Sequence, residues 1–208
     1  MIFDSNVLEA MVLNVSLLWI LTAPHEFAHA WVATKLGDDT PRKEGRVTLN
    51  PMAHVDWLGT VILPAITTLL GGGFLGWGKP VNTNPYRLRH GMNGLALVAL
   101  AGPASNVVLA VLFGAVAVFA ATAFAPLAEF AAYGVRLSLY LAIFNMMPVP
   151  PLDGSKLLLA ARVPAFIYDE LARFGFVLLI VAMSMSDLGL WMSTWSRAGT
   201  ESIFRLFS

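Results

Sequence analysis

Long apolar runs separated by short polar connections organise this chain. A helix needs about 20 mostly apolar residues to cross ~30 Å of hydrocarbon. Five stretches approach that length: about Val7 to Leu36, Trp57 to Leu75, Gly91 to Thr122, Pro126 to Met147 and Pro164 to Met185. The first holds His25, Glu26 and His29, the second is interrupted by Pro64 and ends in Gly71-Gly72-Gly73, and the third is free of charge. Small residues in the third, among them Gly102, Ala104, Ser105, Gly114 and Ala115, suit close helix packing in lipid. From Leu188 to Ser208, Trp191, Trp195, Phe204 and Phe207 are interleaved with Arg197, Glu201 and Arg205. That mixture predicts an interfacial amphipathic tail at 188–208 following a single domain at 1–187.

Composition turns these runs into membrane spans. The 208 residues are 57% hydrophobic and 12% charged, with a mean hydropathy of +0.70. A soluble domain carries about 25% charged residues, so this chain cannot solvate its own surface and a lipid bilayer is its expected partner. Thirteen basic and thirteen acidic residues leave no net charge to recruit nucleic acid. With no cysteine, any bound metal must rely on histidine and carboxylate. The N-terminal Met1 to Asn6 carries only an acid, unlike the basic start of a cleaved signal, so the first span is expected to be retained.

The basic residues suggest a topology. Lys35, Arg42, Lys43 and Arg46 follow the first stretch, Lys79, Arg87 and Arg89 the second, and Lys156 and Arg162 the fourth. These loops share one face, read as cytoplasmic, only if the second stretch enters and returns. The expected fold class is therefore an all-α polytopic membrane protein. It has about four full transmembrane helices, one re-entrant or broken element at about 57–75, and short β-like loop segments.

His25-Glu26-Phe27-Ala28-His29 supplies the candidate chemistry. Histidines at i and i+4 lie one turn apart on one helix face and can reach one ion, while Glu26 flanks that face and can hold a water. Ionisable groups at bilayer depth cost ~2.5–3.5 kcal/mol each, which makes three within five residues a functional signal. A catalytic zinc takes three protein ligands and keeps one position open. Asp153, just past the fourth span, is the only carboxylate between Glu129 and Asp169. The prolines at 148, 150 and 151 prevent a regular helix before it, and Gly154 permits a tight turn beside it. The re-entrant topology brings Asp153 to the same face as His25 and His29.

These residues, together with Gly102-Pro103-Ala104-Ser105-Asn106, the Asn145, Pro148, Pro150, Asp153, Gly154 series, Gly45 to Pro51, His54 and Gly76 to Pro80, resemble the site-2 protease family. These are intramembrane zinc metalloproteases, and the likeness is to the small prokaryotic form without a PDZ domain. The resemblance covers about residues 22 to 160. It implies one Zn2+ per chain on His25, His29 and Asp153, Glu26 as catalytic carboxylate, and Asn145 near the site as an oxyanion donor or supporting residue. It also implies a transmembrane protein substrate, cleaved in the cell membrane at a site open to the cytoplasm. The unwound substrate segment could add alongside an edge-like strand near Trp77 to Val81. His54 and Asp56 have two readings, as a resting ligand or gate and as interfacial hydrogen-bonding groups. A membrane metal-binding or transport protein is the competing class. Transporters tend to carry ionisable groups on several helices, whereas residues 91–122 and 174–186 have none.

Overall fold

The computed structural model of the chain describes residues 5–69, 76–185 and 187–207. Helix α1 (Ser5–Lys35) is followed by the short α2 (Thr40–Lys43), a π-helical turn at Trp57–Ile62 and α3 (Leu63–Leu69). Then come α4 (Met92–Ala120), α5 (Ala125–Asn145), α6 (Asp153–Ala160), α7 (Ala165–Met185) and α8 (Leu188–Arg205). Three of them, α1 from Val7 onward, α4 and α5, are long and apolar enough to cross a membrane. The chain is a multi-pass membrane protein.

The expected fifth stretch takes a particular form. Asp169, Glu170 and Arg173 occupy the first half of α7, so its strongly apolar part is short. Val177–Met183 and Leu188–Arg205 pass the span criteria only as a pair, bent by 74°. The expected tail is thus a helix packed on the bundle. Met192, Ser196 and Ile203 of α8 are buried, Ser196 Oγ donates to Arg136 O at 2.6 Å, and Trp191 and Trp195 stay exposed.

Helices α1, α4 and α5 form the centre, where Leu17, Leu18 and Leu21 pack on Leu137 and Leu141. In lipid such packing relies on close approach and polar links. Gly114 admits Ile203, since a β-carbon there would lie 2.4 Å from its Cγ2. Ser138 Oγ donates to Asn106 O at 2.7 Å, tying α5 to α4. Ala104, expected among the packing residues, faces outward instead.

The second stretch is helical from Trp57 to Leu69 among the described residues. At 1.5 Å per residue that is about 20 Å, too short to cross ~30 Å. The Gly71 to Gly73 triplet lies outside the described residues. Pro64 does not end the helix but sits near the start of α3. Its missing N–H leaves the Gly59 carbonyl, five residues earlier, free of a π-type partner. Trp77 N–H donates to that carbonyl at 3.0 Å, and Thr60 Oγ1 donates to Trp77 O at 2.8 Å. Gly59 allows this contact, because a β-carbon there would lie 2.3 Å from the Trp77 indole. Lys79 N–H then donates to His54 O at 2.9 Å, and Arg46 donates to both Ala53 O and Lys79 O.

Residues 76–81 are thereby stitched along 54–60. The amides of Trp77, Lys79 and Val81 all turn inward, which is the period of a strand. No strand forms among the described residues, so the expected β-like segments are corrected to an irregular segment held by isolated hydrogen bonds.

Candidate metal centre

The i, i+4 spacing on α1 places His25 and His29 side by side, with ring centroids 4.7 Å apart. Both lie within the apolar helix, His25 ten residues from its Lys35 end and so about 15 Å along the axis. Asp153 opens α6, where a carboxylate complements the helix N-terminus. Gly154 makes this turn possible, since a β-carbon at that position would lie 2.2 Å from Met146 O at the end of α5.

Three buried side chains converge here. His25 Nε2 lies 3.2 Å from Asp153 Oδ2, His29 Nε2 lies 3.1 Å from the same oxygen, and the two Nε2 atoms are 3.1 Å apart. His29 Nδ1 lies 2.7 Å from Val98 O. A carbonyl only accepts, so Nδ1 carries the proton and the Nε2 lone pair points at a carboxylate oxygen, which is also an acceptor. Converging acceptors of this kind can share a cation between them. Tetrahedral zinc with bonds of 2.0–2.1 Å has ligand–ligand edges of about 3.3 Å, close to the separations observed. The donor set of two imidazoles and a carboxylate therefore fits zinc, and the Val98 carbonyl fixes the tautomer that a ligand histidine needs.

The wall opposite the histidines is Gly102 of α4. A β-carbon there would lie 2.3 Å from His29 Nε2 and 2.6 Å from His25 Nε2. Gly102, expected as a packing residue, stands against the Nε2 atoms of both histidines, a place not legible from the sequence. Glu26 is buried beside the pair, and its Oε2 accepts the Val81 N–H at 3.1 Å. Gly78 borders the other oxygen, at 3.5 Å from where its β-carbon would be. Asn145 lines the same cavity, and its Nδ2 donates to Leu141 O at 2.9 Å within α5. Lys156 also reaches the site, donating from Nζ to Asp153 Oδ1 at 2.8 Å. The cavity holds about 610 Å³ and extends from the metal group to Trp77 and Val81 on one side and to Leu179 and Met183 of α7 on another.

His54 and Asp56 stand outside the converging group. His54 Nε2 donates to Thr48 O at 2.8 Å, and Asp56 Oδ1 accepts the Gly59 N–H at 2.9 Å, capping the π-helical turn. Burial pushes the His54 pKa below 6.5, partly opposed by the Thr48 hydrogen bond, with Arg46 lowering it further and Glu26 raising it. A depressed histidine contributes stability that is present above its unfolded pKa and lost as pH falls through the folded value. The 45–54 loop should therefore open as pH drops below 6.5. Hydrogen exchange of its amides is expected to accelerate on acidification, and His54→Gln, which keeps a donor for Thr48, should flatten that response. Equal pH dependence in both proteins would assign the effect to another group.

Similarity to known proteins points the same way. "Putative zinc metalloprotease YwhC" of Bacillus subtilis is 36% identical over 197 residues, covering 88% of this chain and 85% of the relative. The chain belongs to this family of zinc metalloproteases. "Putative zinc metalloprotease Rip2" of Mycolicibacterium smegmatis is 31% identical over 184 residues, 83% of this chain and 67% of the relative. "Putative zinc metalloprotease MJ0611" of Methanocaldococcus jannaschii is 42% identical over 64 residues, 29% of this chain and 31% of the relative. No family model and no solved structure matches the chain. Zinc is the metal of this family by name, and His25, His29 and Asp153 are the group among the described residues able to hold it.

Proposed function

We propose that this zinc metalloprotease is an intramembrane enzyme of the site-2 type, which hydrolyses peptide bonds in or near transmembrane segments of other proteins. The observation that carries this reading is the convergence of two imidazoles and a carboxylate inside an apolar helix bundle, with a second carboxylate beside them on one cavity. His25, His29 and Asp153 hold the zinc. When bound, zinc supplies Lewis-acid chemistry at the scissile carbonyl and at the attacking water.

The remaining steps fall to the chain's own residues. Glu26 takes a proton from the water as its oxygen forms a bond to the carbonyl carbon. As the C–N bond breaks, Glu26 returns that proton to the leaving nitrogen, which departs as an amine. The Val81 N–H fixes one Glu26 oxygen and leaves the other for this transfer. Asn145 has a second amide N–H beyond the one given to Leu141 O, and we assign it to the developing oxyanion. A transmembrane helix satisfies its own amides, so the substrate must unwind before attack. The basic loops after α1 and before α4 favour a cell membrane orientation in which the cavity opens toward the cytoplasm.

Metal removal tests the proposal. The enzyme is reconstituted in vesicles with a single-span substrate. A zinc chelator should stop cleavage, and about one equivalent of Zn2+ per chain should restore it. Cleavage that survives complete removal of zinc would overturn the assignment. A metal-binding or transport role would instead give zinc uptake without cleavage of any span offered.

A further inference from the structure

We propose that Lys156 is a positioning residue that makes Asp153 a one-oxygen zinc ligand and so keeps a coordination position open. The inference rests on the zinc site described above and concerns how that site is held to a catalytic geometry. Asp153 divides its oxygens: Oδ2 lies 3.1–3.2 Å from both histidine Nε2 atoms, while Oδ1 takes the Lys156 ammonium at 2.8 Å.

The arrangement is local. Asp153 and Lys156 are at i and i+3 on α6, so one turn of helix sets their separation. The Asp153 side chain is 7% exposed and that of Lys156 31%, which leaves the ammonium partly hydrated at the cavity edge.

A carboxylate beside zinc can bind through one oxygen or two. Two-oxygen binding would fill the position that a hydrolytic zinc needs for water and the scissile carbonyl. A charge-assisted hydrogen bond to Oδ1 competes directly with that mode and fixes the rotation of the carboxylate. The ammonium also offsets negative charge from Asp153 and Glu26 in a buried site. Lysine at this position therefore acts through Asp153 and not on the substrate.

Cobalt substitution of the full-length protein in detergent tests the proposal, with visible absorption reporting coordination number and chelator competition reporting affinity. Wild type should bind one Co2+ with the intense spectrum of a four-coordinate site. Lys156→Met should change Co2+ affinity about 10–100-fold, and its spectrum should lose intensity as Asp153 swings to two-oxygen binding. Lys156→Arg, which keeps a cationic donor at i+3, should retain the wild-type spectrum. An unchanged spectrum and affinity in Lys156→Met would overturn the positioning role while leaving the zinc site intact. Failure of wild type to bind Co2+ or Zn2+ would instead remove the metal site, and this role with it.

Discussion

Glu26→Gln is expected to abolish cleavage and keep one zinc per chain. The substitution preserves shape, and the glutamine oxygen can still accept the Val81 N–H that Glu26 Oε2 takes at 3.1 Å. Only the basicity is lost. A positioned general base contributes about 10²–10⁴ in rate, or roughly 3–5 kcal/mol of barrier. Because Glu26 is not one of the three converging side chains, metal content should not change. Activity within a few-fold of wild type would move the proton transfer to another group. Loss of zinc would mean that Glu26 is itself a ligand.

Gly102→Ala should cost the protein its zinc through a single added methyl group. That carbon would lie 2.3 Å from His29 Nε2 and 2.6 Å from His25 Nε2, inside any allowed contact. His29 cannot retreat freely, because its Nδ1 is held by Val98 O at 2.7 Å, and Val98 is on α4 with Gly102 itself. Either the rings turn away, scattering the ligands, or α4 shifts from α1, at an overpacking cost of about 1–3 kcal/mol. Zinc per chain measured on the purified variant should fall well below one, with helical content by circular dichroism retained. A variant with full zinc and full activity would show that the α1–α4 contact is looser than described.

The sequence is most legible where chemistry follows local spacing. His25 and His29 lie one turn apart on one helix, and a lone carboxylate behind a proline-rich stop had few other roles, so Asp153 could be paired with them before any fold was known. Of the second stretch the helix at Trp57–Leu69 is described, and Pro64, read as an interruption, lies within it. What escaped depends on contacts between distant segments. Gly102 reads as a packing glycine until α4 is laid against α1. The Val81 amide reaches Glu26 because Gly59 O, His54 O and Arg46 together hold 76–81 in place. The tail reads as interfacial because its aromatics are mixed with charge. Its stripe of Met192, Ser196 and Ile203 finds α4 and α5 only in three dimensions. Lys156 had a readable signal, the i+3 spacing from Asp153, although spacing alone does not say which oxygen it takes.

If the zinc site within the helix bundle cuts a polypeptide inside the membrane, the position of the scissile bond will show it. Wild-type enzyme and a single-span substrate are reconstituted together in vesicles, and both product fragments are sequenced by mass spectrometry. New termini are expected within the apolar segment or at its cytoplasmic edge, near residues that weaken the helix. Cleavage confined to loops far from the bilayer would contradict a cut inside the membrane.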